Sequence, residues 1–156
     1  MLKLSKKTDY ALMAVQYMSS TGTDRVVNTK EIAEEYNIPV ELLAKVLQTL
    51  ARQGLVESQN GPKGGYLLAR SAREITIAQV LTAIEGPLGI AECYHEADAP
   101  SCSCFENCNI RTPLRKVQES IYQLLNNMTV ADMMGDTPLI TVQSLSTAGA
   151  GEGVRS

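Results

Sequence analysis

Tryptophan is absent from this 156-residue chain, and phenylalanine and histidine occur once each. A core must therefore be assembled from Leu, Ile, Val, Ala, Met and Tyr. With one histidine, no phosphate-binding glycine motif and no nucleophile–base spacing, the sequence points away from an enzyme. No run approaches the roughly 18 apolar residues of a membrane span, and the opening MLKLSKKTDYALMAV has neither a long apolar run nor a small-residue cleavage site, so no signal peptide is read. Cysteine is missing everywhere except one sixteen-residue window, which holds Cys93, Cys102, Cys104 and Cys108 and also the single histidine, His95. Thiols gathered this closely share a partner: a metal, a cluster or each other. In the cytoplasm, the compartment expected here, such cysteines bind metal more often than they form structural disulfides.

The length allows one domain, or one small domain plus an extension. Net charge is −3, unevenly spread: residues 1–75 carry ten Lys/Arg against eight Asp/Glu, and residues 76–156 four against nine. The first part is the better candidate for meeting an anion.

Hydrophobic spacing predicts a largely buried helix over 5–19, with Thr8, Ala11, Leu12, Val15 and Met18 on one face. Asn28 with Glu31 reads as a capping box opening a short helix to Tyr36. Asn37 to Pro39 is a turn, and a second helix follows to Gln53, with Leu43, Val46, Leu47 and Leu50 as its apolar stripe and Gly54 as its stop. Two helices across a tight turn make a helix-turn-helix pattern. Short strands at 55–58 and 66–69 flank a turn-dense tip, which completes a winged helix. The fold class expected is mainly α with a small β-hairpin wing, carrying a long dimerisation helix. Nucleic-acid binding is preferred, and a domain for protein contacts alone is the plainer alternative.

Another helix is predicted over 76–85. Beyond it the cysteine segment has no period, and loops of that length inside a compact chain are functional or disordered. From Pro113 to Met128 the apolar residues Leu114, Val117, Ile121, Leu124 and Met128 recur in steps of 3, 4, 3 and 4, a coiled-coil seam that suits pairing with a second copy; an intramolecular stripe is the alternative. The organisation expected is a DNA-binding domain over 1–86, a cysteine-rich loop over 87–111, a dimerisation helix and C-terminal segment over 112–140, and a disordered tail over 141–156.

These stretches together resemble one bacterial family, the Rrf-type winged-helix iron–sulfur regulators typified by IscR, NsrR and RirA. The resemblance is carried by LSKKTDYAL at 4–12, EIAEEYNIP at 31–39, LAKVLQTL at 43–50, GLVES at 54–58, GPKGGYLLAR at 61–70 and the cysteine loop before a long helix. Within the family, Cys108-Asn-Ile-Arg111 is most similar to regulators of the Suf cluster-assembly operon. The resemblance implies a homodimer on double-stranded DNA that senses iron, redox or nitric-oxide status through a 2Fe-2S or 4Fe-4S cluster and controls cluster-assembly genes.

The family spacing maps onto Cys93, Cys102 and Cys108, with Cys104 additional. IscR-like members place a His three residues after the last cysteine; Arg111 stands there and cannot ligate. Three fourth ligands stay open: Asp9 lent by the partner subunit, as in NsrR-like members, then Cys104, then His95. A structural zinc or a metal-free thiol switch is the rival reading, although only Cys104 and Cys108 have a zinc-type spacing. The DNA-contact candidates are Val40, Glu41, Ala44 and Lys45 on the second helix of the motif, Thr29 and Lys30 at the start of the first, and Asn60 and Lys63 in the wing, with Lys3, Lys6 and Lys7 as further phosphate contacts. Ala44 and Asn60 depart from the Glu and Arg of IscR-like members, which implies a different operator preference.

Overall fold

The computed structural model describes residues 3–22, 24–90 and 103–135. The expected mainly α class with a two-stranded wing is what it shows: helices α1 (Lys6–Thr21), α2 (Thr29–Tyr36) and α3 (Val40–Arg52), strands β1 (Val56–Gln59) and β2 (Gly65–Leu68), then α4 (Ile77–Glu85) and α5 (Arg111–Asn127).

Helix α1 begins at Ser5, whose hydroxyl accepts from the Thr8 amide at 3.3 Å. It buries Thr8, Ala11, Ala14, Val15 and Met18 and runs to Thr21, two residues beyond the expected end, before Gly22 breaks it at φ 101°. At α2 the capping expectation is half right. Asn28 Oδ1 accepts from the Glu31 amide at 2.9 Å, but the Glu31 carboxylate does not reach back. It accepts from the Tyr17 hydroxyl at 2.8 Å and pairs with Arg25 at 2.7 Å, because these two donors offer a charge-assisted site that the cap amide cannot match. A full reciprocal box occurs instead at α4: the Thr76 amide donates to Gln79 Oε1 at 3.0 Å, and the Gln79 amide donates to Thr76 Oγ1 at 3.2 Å.

The turn between α2 and α3 depends on Asn37, which takes a left-handed conformation, φ 52° and ψ 46°, that Asn tolerates better than most residues. Ile38 then anchors the turn, 5% exposed. Helix α3 buries Leu43, Val46, Leu47 and Leu50, the stripe expected from spacing. It ends in a Schellman arrangement: the Leu55 amide donates to the Leu50 carbonyl and the Gly54 amide to that of Ala51, both at 3.0 Å, with Gly54 at φ 73°.

The hairpin pairs Val56 with Leu68 and Gln59 with Gly65, one residue along from the expected strands. A short third pairing is added that spacing did not suggest. Val27 bridges Tyr66, each amide donating to the other's carbonyl at 2.8 Å. Gly65 makes this possible, since a Cβ there would lie 2.7 Å from the Val27 carbonyl carbon and 3.0 Å from Asn28 Cα. The wing is thereby fixed to the segment that leads into α2.

After α5 the chain returns to the body. The Ile77 amide donates to the Met128 carbonyl at 2.8 Å, Val130 to Ile75 at 2.9 Å and Ala131 to Ala72 at 3.1 Å. Val130 is fully buried in the same core as α1, α3 and α4, a burial that stabilises by about 1.5–3 kcal/mol. At the other end of that body, Glu85 of α4 accepts from the Ser5 amide at 3.1 Å and from the hydroxyl of buried Thr8. These hydrogen bonds hold its carboxyl below the usual carboxylate range.

Candidate nucleic-acid interface and cysteine segment

Helix α3 offers two opposite faces. With 3.6 residues per turn, the buried stripe leaves Glu41, Lys45, Gln48 and Arg52 at the centre of the outward face, all exposed. Of the four residues expected on this helix, Glu41 and Lys45 lie on that central line. Val40, 47% exposed, and half-buried Ala44 flank it on one side. Gln48 and Arg52 continue the line and were not among the expected contacts; the signal for them was the i, i+4, i+7, i+11 spacing from Glu41. Two exposed apolar side chains, Val40 and Leu42 (45%), sit in the first turn.

Thr29 opens α2, half-buried, and Lys30 follows it, exposed. The free amides of a helix start and its positive dipole end favour phosphate there. The Lys30 ammonium lies 3.7 Å from Glu34, but both side chains are well exposed, so this pair holds it weakly. Arg25 is a cation beside this helix start that spacing did not single out: Glu31 fixes its guanidinium against α2 while half the side chain stays in solvent. The same carboxylate, accepting from the Tyr17 hydroxyl, pushes that phenol above its ordinary value and ties α1 to α2. Asn60 and Lys63 are exposed at the wing tip. Lys3, Lys6 and Lys7 are exposed around the start of α1, with Lys6 3.5 Å from Asp9.

Cys93, Cys102 and His95 lie outside the described residues. Cys104 is exposed and Cys108 half-buried, both as free thiols. They flank a 3-10 turn, Phe105–Asn107, closed by the Asn107 amide donating to the Cys104 carbonyl at 3.1 Å. Cys108 stands three residues ahead of α5. Asp9 lies half-buried on α1. Among the described residues of one chain, no three His, Cys, Asp or Glu side chains are brought together as a metal set.

Helix α5 packs on the body along only part of its length. None of its residues is buried. Val117 is 49% exposed, Leu124 38% and Ile110, its cap, 54%. Only its second half meets the core, through Leu125 and then Met128. No helix among the described residues is long and apolar enough to cross a membrane.

A helix-turn-helix with an exposed second helix, a glycine-dependent wing and basic residues at both is a winged-helix DNA-binding regulator. The family model Rrf2, described as an iron-dependent transcriptional regulator, matches residues 4–136, and the chain belongs to that family. Its members are transcriptional regulators rather than enzymes. The chain is 34% identical over 139 residues to protein aau3 of Rhizobium meliloti (strain 1021), covering 89% of each. It is 30% identical over 138 residues to protein rrf2 of Nitratidesulfovibrio vulgaris, covering 88% of this chain and 91% of that one. Among solved structures it is similar to T. potens IscR, at 27% identity and a TM-score of 0.64 over 97% of this chain and 94% of the other. The structure of CymR, the global cysteine regulator of B. subtilis, shares the fold at a TM-score of 0.70 and 24% identity, over 88% of this chain and 100% of that one.

Proposed function

We propose that this Rrf2-family regulator is a homodimer that reads a two-fold-related operator and senses iron, redox or nitric-oxide status through an iron–sulfur cluster, controlling iron–sulfur cluster assembly genes. The cluster ligands are Cys93, Cys102 and Cys108, with Asp9 of the partner subunit or Cys104 as the fourth. The donor chemistry fits: thiolates are soft ligands of the kind that hold iron in such clusters, and half-buried Cys108 is partly screened from water. When bound, the cluster supplies a group that is lost or oxidised as iron and oxidants vary.

The observation that carries the reading is the position of Cys108, three residues before a helix on which Val117 and Leu124 are exposed in one chain. Ligation there fixes the start of α5. Pairing of α5 with its twin fixes the spacing of the two α3 helices, and half-site spacing is what a dimer reads in DNA. A signal acts on such a system only through different affinities of its two forms for DNA. Thr29, Lys30, Asn60 and Lys63 hold the backbone, and Val40, Glu41, Ala44 and Lys45 face the bases.

A second reading follows from Cys104, an exposed free thiol beside Cys108: a metal-free thiol switch, or a structural zinc, in the same segment. Purification without oxygen, followed by visible absorbance and iron, sulfide and zinc analysis, separates the two. A brown protein with matched iron and sulfide, lost in Cys108→Ser, supports the cluster. A colourless protein with about one zinc, unchanged after anaerobic reconstitution with iron and sulfide, refutes it.

A further inference from the structure

We infer that Gln48 is a base-reading residue of α3 and that its amide selects adenine in each operator half-site. The inference rests on the reading of the chain as an operator-binding regulator and deepens it. Gln48 is exposed on the central outward line of α3, one turn beyond Lys45. Its two polar neighbours further along the helix are engaged with the helix itself. The Thr49 hydroxyl donates to the Lys45 carbonyl at 3.0 Å, and Arg52 Nε donates to the Gln48 carbonyl at 3.4 Å. Among the described residues, the Gln48 side-chain amide makes no such bond. Nor do the Glu41 carboxylate and the Lys45 ammonium.

The three free groups form an ordered set along one line. At 1.5 Å rise per residue, Glu41 and Gln48 stand about 10.5 Å apart along the axis, room for about three base pairs at 3.4 Å. Their chemistries are distinct. A carboxylate accepts from the cytosine amino group, a lysine donates to guanine O6 and N7, and a glutamine amide both donates to N7 and accepts from the amino group of adenine. Gln48 is the only one of the three that can pair with a single base in both senses, so its recognition is the most base-selective. Beyond it Arg52 closes the line, with Nε turned to the helix backbone.

The test is selection of randomised duplex DNA by the full chain, purified anaerobically, and by Gln48→Ala and Gln48→Glu. The side chain is exposed, so circular dichroism of both variants should match the parent. The expected result is an adenine position in each selected half-site whose preference over other bases falls by about 5- to 150-fold in Gln48→Ala, with the remaining positions kept, and turns toward cytosine in Gln48→Glu. Unchanged preferences at every position overturn the inference. So does a uniform loss of affinity across all sequences, which marks a phosphate contact instead. If the parent protein enriches no sequence at all, the operator reading fails first and the role of Gln48 fails with it.

Discussion

Replacing Gly65 by alanine tests whether the wing is built on contact between backbones. A Cβ at Gly65 would lie 2.7 Å from the Val27 carbonyl carbon. Ordinary contact begins near 3.4 Å and the Val27 carbonyl oxygen is nearer still, so the two strands must part by at least about 0.7 Å, and these neighbours are backbone that cannot swing aside. The bonds between Val27 and Tyr66, at 2.8 Å each, then lengthen to about 3.5 Å, outside the normal range. Two net hydrogen bonds at about 0.5–1.5 kcal/mol each give a cost of about 1–3 kcal/mol. Alanine also restricts the unfolded chain, which returns about 0.4–1 kcal/mol. The balance is a destabilisation of about 1–2 kcal/mol, or a fall in Tm of roughly 2–8 °C for a chain of this size. Thermal unfolding followed by circular dichroism measures it, with Asn60→Ala at the exposed tip as the control. DNA affinity should fall with it, since the wing moves relative to α2. A Tm within about 1 °C of the parent would show that Gly65 and Val27 are not in contact and would refute the reasoning.

Charging the seam of α5 with Val117→Glu and Leu124→Glu should convert a dimer to a monomer in sedimentation equilibrium while leaving helicity intact, because neither residue is buried in one chain; a doubly substituted protein that stays dimeric would place the interface elsewhere. Thr76→Ala removes one half of the capping box at α4 and should cost about 1 kcal/mol in urea unfolding; a loss under about 0.3 kcal/mol would count against it. Glu85 has a lowered folded-state pKa through its bonds from Ser5 and Thr8, so its contribution is complete above the unfolded carboxyl value of about 4.3 and is lost as pH falls through the lower folded value. The stability gap between parent and Glu85→Gln should thus be constant from pH 8 to about pH 6 and close below about pH 4; a gap that widens on acidification has the wrong sign. Val130→Ala should lower stability by about 1–3 kcal/mol through the lost methyl groups and the cavity left behind, with the dimer preserved at native temperature.

Much of the winged helix was legible because its signals are local. The stripe Leu43, Val46, Leu47 and Leu50 repeats at helical spacing, and all four residues are buried. Gly54 follows directly and ends the helix through a positive φ. The Val27–Tyr66 bridge was not legible, because it joins residues far apart in sequence and only Gly65 hints at a close approach. The role of Glu31 was misread for a related reason. Its position three residues after Asn28 fits a capping box, but the choice between the cap amide and the Tyr17 and Arg25 donors is made by tertiary packing. At the candidate site, Glu41 and Lys45 could be named from their place near the start of α3. Gln48 and Arg52 required the position of the outward face, which is fixed only once the buried face is known. Arg25 carries no motif at all; Glu31 and the fold put it beside α2.

The return of the chain after α5 bears on how a change near Cys108 could be felt at α3. A helix attached to a domain by a loose linker would transmit little, because the linker would absorb its displacement. Here the far end of α5 is joined without slack: Met128 and Val130 bond the backbone on either side of Thr76, and Val130 fills the core that also holds Leu43, Leu47 and Leu50 of α3. The near end begins at Ile110 with no side-chain cap, two residues beyond Cys108. One end of the helix is thus set by the DNA-binding body, and the other is adjacent to the thiols. A rigid rod of 17 residues, about 25 Å long, turns a small shift at its uncapped end into a change of angle at its fixed one. Close-packed interfaces and cores move between discrete packings rather than bending continuously. The arrangement therefore suits a two-position response better than a graded one, with the Val130 anchor as the point about which α5 turns.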